Sequence, residues 1–127
     1  MKFALISFLL YFCSGVVLLA VFTRIYVWFT PYSEFVEIRA GKKAPAIALG
    51  GAMIGYTIPI VAASHAGVDF SEFMLWAVIS GIVQLVCFKV LYGLLPRQIE
   101  ADNQAVATFF AAASVSIGLI NAFSLIP

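Results

Sequence analysis

Residues that could perform metal, nucleophilic or acid–base chemistry are few in this chain and lie far apart. Cys13 and Cys87 each lie inside a long apolar run, and the single histidine is His65. A metal site needs more ligands than two thiols and one distant imidazole. The sequence contains no recognisable Ser/His/Asp set, pair of carboxylates in a cleft or phosphate-binding glycine loop. We therefore expect no metal, no cofactor and no enzymatic activity.

The remaining candidates are five polar or helix-bending residues inside apolar runs: Tyr56, Thr57, Pro59, Gln84 and Asn121. Pro59 has no amide hydrogen, so it can kink a helix and free the carbonyl four residues earlier for an ion or a substrate. Alternatively, Thr57 and a neighbour satisfy that carbonyl. We expect Gln84 and Asn121 to form hydrogen bonds between helices, with the lining of a pore or pocket as the alternative.

The composition is that of a membrane protein. Hydrophobic residues make up 64% of the 127 residues and charged residues only 10%, against about 25% charged in globular proteins. A chain this short cannot bury so much apolar surface within itself, so the excess must face lipid. This excludes a soluble enzyme and a disordered tail. The net charge of +1 gives no electrostatic reason to expect a nucleic-acid partner.

Four apolar runs are long enough to cross a bilayer, which takes about 20 residues. We predict spans at 4–29, 44–64, 73–95 and 105–127. Each must be helical, because a backbone surrounded by lipid has to satisfy its own hydrogen bonds. The first run is longer than the apolar region of a signal peptide and is interpreted as a retained span. The sequence thus predicts an all-α membrane protein with one domain, residues 1–127.

Local signals help to set the helix limits. Pro45 suits the first turn of the second span. Asp69, three residues before Glu72, forms a capping-box pattern for the third span, and Asp102 is the predicted cap of the fourth. Residues 30–36 read as a short amphipathic helix in the interface or, alternatively, as an irregular loop.

Lys and Arg concentrate on one side of the predicted spans. Six of the seven, among them Arg39, Lys42 and Lys43, lie in or beside the first and third connections, and the other side has only Lys2. The positive-inside rule therefore predicts cytoplasmic basic connections and both termini outside. Arg39, Lys42 and Lys43 are the candidate contacts with membrane lipid or a peripheral partner, although lipid-binding clusters have about 4–8 cations.

The two halves of the chain resemble each other. A shift of 66 residues gives seven identities over positions 9–26, and a shift of 61 aligns the second and fourth spans more weakly. We predict two parallel two-helix repeats, residues 1–65 and 66–127. Small residues in the second and fourth spans predict that these helices form the close-packed centre, with the first and third carrying bulky residues toward lipid. The same small residues could serve a homo-oligomer interface.

Short motifs spread over nearly the whole chain resemble the YjfL-like family of small bacterial inner-membrane proteins, a domain of unknown function. They are residues 30–35 (TPYSEF), residues 55–59 (GYTIP), Asp69 ahead of a span that contains Trp76, and residues 121–122 (NA). This resemblance implies a bacterial inner-membrane, multi-pass protein with periplasmic termini and tandem two-helix units. Residues 42–45 (KKAP) depart from the family's pattern, which puts shared chemistry at that loop in doubt.

The family resemblance also implies a setting. Its members are often encoded beside PspA-like membrane-remodelling proteins, which implies a role in envelope stress or membrane maintenance and a PspA-like peripheral partner. We therefore expect a non-enzymatic membrane scaffold. The alternative is an oligomeric ion channel or small transporter whose pore is lined by Tyr56, Thr57, Gln84 and Asn121 near Pro59.

Overall fold

The computed structural model describes residues 2–30, 32–66 and 69–125, and in this part of the chain the protein consists of helices joined by turns. The helices are α1 (Lys2–Phe29), α2 (Glu34–Arg39), α3 (Lys43–Ala66), α4 (Phe70–Leu94) and α5 (Gln104–Leu125). All except α2 are long and apolar enough to cross a membrane. The prediction of an all-α protein with four transmembrane helices is confirmed.

The helix limits lie within a few residues of the predicted spans. α4 begins at Phe70 rather than residue 73, because Asp69 precedes it and accepts the amide hydrogen of Glu72 at 2.9 Å. The predicted role of Asp69 as the cap of this helix is thus confirmed. Pro45 lies in the first turn of α3, as expected. The predicted fourth span ended at residue 127, and its last two residues lie outside the described part of the chain.

The prediction that Asp102 caps the fourth span is wrong. Its carboxylate accepts the amide hydrogen of Ala44 at 2.9 Å, so it caps α3 instead. Asn103 caps α5, accepting the amide hydrogen of Val106 at 3.2 Å. Asp102 has a φ of 59°, a left-handed conformation that Asp tolerates. The connection between α4 and α5 is thereby tied to the start of α3.

The segment after α1 forms a helix rather than an irregular loop. α2 presents Phe35 and Val36 to the outside, with 52% and 55% of their surfaces exposed, while Glu34 is fully buried. A short amphipathic helix is therefore present, but it begins at Glu34 and ends at Arg39 rather than covering residues 30–36, and a carboxyl-bearing residue lies on its inner side. We call the end of the bundle that contains α2 and residues 95–103 the basic end.

α3 is the centre of the bundle and contacts each of the other four helices. Its closest neighbour is α5. A Cβ atom added to Gly51 would overlap Ala111, and one added to Gly118 would overlap the carbonyl oxygen of Gly55. The two backbones therefore touch directly, which only small residues allow. The predicted close-packed centre of the second and fourth spans is confirmed.

α1 and the outer face of α4 form the lipid-facing periphery. α1 buries only Phe22 and Tyr26 among its 28 residues. Phe3, near its start, is 89% exposed, and Leu75 and Val86 of α4 are each 55% exposed. These bulky residues face outward as predicted. The opposite face of α4, which combines the large Phe73 and Phe88 with the small Ala77 and Gly81, is buried, and α4 packs against α3 and α5.

The division into two repeats, 1–65 and 66–127, stays a prediction. The 66-residue shift that aligns Tyr26 with Tyr92 also aligns Glu34 with Glu100. Both pairs lie at the basic end of the structure, as described below.

The α3–α5 contact predicts the effect of enlarging single glycines. Gly51→Ala places a methyl group where Ala111 already lies, so we expect the free energy of unfolding to fall by about 1–3 kcal/mol. Gly50→Ala is the matched control, because nothing lies within 4 Å of its added Cβ atom. Both variants gain the same helix propensity. Equal stability of the two in detergent unfolding measurements would contradict the contact.

Candidate functional site

Two groups of polar side chains lie inside the bundle, one at mid-depth and one at the basic end. The mid-depth group centres on Tyr56, which is 2% exposed. Its hydroxyl donates to the carbonyl of Ala77 at 2.8 Å. Its ring covers Gly81, whose added Cβ atom would lie 3.0 Å from the phenol, and stacks on Phe22 with centroids 4.5 Å apart. Tyr56 thereby joins α3 to both α1 and α4.

Gln84 and Asn121 join α4 to α5. Nε2 of Gln84 donates to the carbonyl of Ser114 at 3.2 Å, and Nδ2 of Asn121 donates to the carbonyl of Ser80 at 3.1 Å. The Gln84 amide nitrogen also lies 2.9 Å from the Cβ position of Gly55. Because Gly55 has no side chain, the Gln84 amide can lie at the junction of α3, α4 and α5.

Pro59 lies buried within α3, opposite the carbonyl of Gly55. That carbonyl faces Gly118 of α5, in the geometry of a Cα–H···O contact rather than of an open ligand site. The expectation that Thr57 satisfies it is wrong, because the Thr57 hydroxyl donates to the carbonyl of Met53 at 2.8 Å. Thr57 is exposed on the outside of the bundle. The five predicted mid-depth residues therefore do not converge on one site.

The mid-depth group keeps two polar atoms without hydrogen bonds within the described residues. They are Oγ of Ser80 and Oε1 of Gln84, and both are buried. Because the two residues are four apart on α4, their side chains lie on the same helix face.

The group at the basic end is built around Glu34, which sequence reasoning did not select. Glu34 has no exposed surface. Oε1 accepts the hydroxyl hydrogen of Thr30 at 2.6 Å, and Oε2 is buried without a hydrogen bond from the described residues. Burial raises the pKa of Glu34 above its ordinary value, and the bond from Thr30 offsets part of that rise. The site therefore favours the protonated carboxyl.

Two tyrosines lie beside Glu34. Tyr26 is fully buried against Phe88, with ring centroids 4.3 Å apart, and Tyr32 is half-buried next to it. Burial raises the pKa of the Tyr32 phenol well above its ordinary value. Within the described residues, the hydroxyl groups of both tyrosines are buried without a hydrogen bond.

The second half of the chain carries a counterpart. The Tyr92 hydroxyl donates to Oε1 of Glu100 at 2.5 Å. Glu100 follows Tyr92 by eight residues, as Glu34 follows Tyr26. This shared spacing is the signal that could have found the group from the sequence, since it extends the 66-residue repeat beyond the spans.

The three predicted lipid or partner contacts have different surroundings. Nζ of Lys42 pairs with Oε2 of Glu37 at 2.5 Å, which together with the hydrogen bond raises the pKa of Lys42. Lys43 is exposed at the start of α3. Arg39 lies at the end of α2 and lines a groove that also contains Arg24.

Other chemistry-bearing residues stand apart. In residues 2–30, 32–66 and 69–125, no three or more His, Cys, Asp or Glu side chains are grouped so that they could hold a metal ion. Cys13 and Cys87 are free thiols, and His65 is exposed near the end of α3.

Comparison with known proteins agrees with this architecture. Residues 2–125 match the family described as Domain of Unknown Function (DUF350). The chain belongs to this family. The UPF0719 inner membrane protein YjfL of Escherichia coli K12 is 30% identical over 122 residues, which cover 94% of this chain and 92% of YjfL. The UPF0719 transmembrane protein YshE of Bacillus subtilis 168 is 27% identical over 120 residues, covering 91% and 88%. No solved structure matches.

The resemblance to the YjfL-like family is thus confirmed. YjfL is named an inner membrane protein, and the four long apolar helices of this chain agree with a place in a membrane. The DUF350 match takes in all four transmembrane helices and α2. The polar groups at mid-depth and at the basic end both lie inside the matched region.

The buried carboxyl of Glu34 predicts a specific pH dependence. Between its ordinary pKa and its raised pKa, the folded state holds a proton that the unfolded state has released. The free energy of unfolding therefore falls as pH rises through this window. Glu34→Gln removes the group and should weaken this fall, as measured by unfolding in detergent followed by tryptophan fluorescence.

The control is Glu37→Gln, on the same short helix, whose carboxylate pairs with Lys42 and has part of its surface exposed. Because Glu37→Gln keeps Glu34, its free energy of unfolding should still fall as pH rises through this window. If wild type and Glu34→Gln show the same pH profile from about pH 4 to pH 8, the buried carboxyl is not protonated in the folded state.

Proposed function

We propose that this DUF350 protein is a non-enzymatic structural unit of the bacterial inner membrane that supports membrane maintenance during envelope stress. The observation that supports the proposal is that the polar side chains at mid-depth form hydrogen bonds between spans. Tyr56, Gln84 and Asn121 each donate to a backbone carbonyl of another span. In lipid, such bonds hold helices together where no hydrophobic force does so.

Every one of these bonds has one partner on α4. Tyr56 connects it to α3, and Gln84 and Asn121 connect it to α5 at two different levels. The three most central polar side chains are therefore directed between helices of one chain. A channel formed by one chain would instead need them around a shared water-filled path.

The alternative of an oligomeric ion channel or small transporter is favoured by one surface. The α3–α5 face that points away from α1 and α4 presents small residues and two exposed hydroxyls in a shallow groove, including Gly50, Ala112, Thr108 and Ser116. Small residues allow close approach of a second copy. A pore would then lie between chains, and the mid-depth bonds would stay within each chain.

One set of measurements distinguishes the structural role from the channel role. Gln84→Leu removes a bond between spans and should lower the free energy of unfolding by about 0.6–2 kcal/mol. Thr57→Val is the control, since the Thr57 hydroxyl bonds only within its own helix. Purified wild-type protein in liposomes should pass no ions above the level of empty liposomes. Flux of any tested ion above that level would establish the channel instead.

We also propose that the basic end faces the cytoplasm, with both termini in the periplasm, and that it receives a PspA-like peripheral protein. Six of the seven Lys and Arg residues lie at or near this end, which supports the orientation. Lys43 and Arg97 are exposed there, and exposed cations attract an acidic protein surface through long-range charge.

Membrane vesicles of both orientations test these two statements together. A PspA-like protein should bind inside-out vesicles that contain wild-type protein and leave right-side-out vesicles unbound. Replacing Arg39, Lys42 and Lys43 together by Gln should reduce binding several-fold, whereas Thr57→Val should not. Binding only to right-side-out vesicles would overturn the orientation, and unchanged binding by the triple variant would overturn the docking surface.

A further inference from the structure

We infer that Arg24 and Arg39 form the headgroup site for one anionic phospholipid, held in a groove between α1, α2 and α3. Both arginines line this groove, together with the hydroxyl-bearing Ser33 and Thr23. Arg24 belongs to a transmembrane helix and Arg39 to the short helix α2. The groove is where the structure brings these two cations together, although they are 15 positions apart in the sequence.

The two arginines have no carboxylate partner among the described residues. The ion pair found there joins Lys42 to Glu37. Nε of Arg39 makes a long hydrogen bond of 3.4 Å to the carbonyl of Phe35, which leaves the rest of its guanidinium free. An unpaired arginine within a span is costly in lipid. A phosphate accepts two parallel bonds from a guanidinium, so a lipid headgroup is the counter-ion that matches both charge and position.

The apolar part of the groove fits the rest of a lipid. It continues from Arg24 along α1 to Val16, eight residues earlier, which is about 12 Å deeper in the bilayer. The small side chain of Ala20 leaves room on this path, and Met53 of α3 forms the facing wall. The open groove has a volume of about 710 Å³, within the range of about 300–1,000 Å³ that is usual for ligand sites.

The other cations near this end are placed differently. Nζ of Lys89 lies over the ring of Phe29, 5.5 Å from its centroid. Lys43 is exposed and does not line the groove. The site is therefore defined by Arg24, Arg39 and the apolar part of the groove, and not by the total charge of the basic end. This inference does not rest on the proposed scaffold function.

The test counts lipids retained by the purified full-length protein in native mass spectrometry, with dioleoyl-phosphatidylglycerol and dioleoyl-phosphatidylcholine offered at equal concentration. Wild type should retain one phosphatidylglycerol per chain in preference to phosphatidylcholine. Arg24→Gln and Arg39→Gln should each reduce that preference about fivefold, since a cation near the surface contributes about 1 kcal/mol to binding an anionic lipid. Lys43→Gln, which removes the same charge outside the groove, should leave the preference unchanged.

Ala20→Trp provides an independent variant, because it fills the groove while keeping both arginines. It should lose phosphatidylglycerol to the same degree as the Gln variants, and unchanged circular dichroism shows that it is folded. Equal retention of the two lipids by wild type overturns the inference. An equal loss in Lys43→Gln, or full retention in Ala20→Trp, also overturns it, since either result would mean that surface charge alone attracts the lipid.

Discussion

The direct backbone contact between α3 and α5 is the interaction on which the rest of the structure depends. Gly51 lies against Ala111, and Gly55 lies against both Ser114 and Gly118. Lipid tails are as apolar as leucine side chains, so hydrophobicity gives helices no reason to associate. Close approach supplies dispersion contacts and Cα–H···O contacts along a whole helix face instead. Any side chain larger than hydrogen at Gly55 or Gly118 would push the two backbones apart.

This contact also determines which polar groups meet. Gln84 reaches the carbonyl of Ser114 through the space that Gly55 leaves empty, and Asn121 reaches Ser80 from the same helix face of α5. These hydrogen bonds hold α4 against the α3–α5 pair, because inside the membrane their donors have no water molecules as alternative partners. α1 depends on this assembly in turn, since its two buried residues pack on α3 and α4, with Phe22 on Tyr56 and Tyr26 on Phe88.

Much of the fold could be predicted because membrane insertion imposes simple rules on sequence. Length and hydropathy indicated the spans, and glycine and alanine spacing in α3 and α5 indicated the central pair. Spacing cannot show which side chain meets a given helix end in space. Asp102 was assigned to the helix it precedes, yet it caps α3, which lies 58 positions earlier. Glu34 was overlooked because a carboxylate in a short connection ordinarily faces water, and only the tertiary arrangement buries it.

The position of α2 follows from forces acting on its two sides. A helix of six residues has no stability of its own in water. On the inner side, Glu34 is held by Thr30 beneath the tyrosines. On the outer side, Phe35 and Val36 are exposed to the region where lipid lies. Neutralising the buried carboxyl and giving the outer residues a lipid surface both favour the same docked helix. α2 is therefore held from both sides, by the buried contacts of Glu34 within the bundle and by the lipid surface that Phe35 and Val36 face.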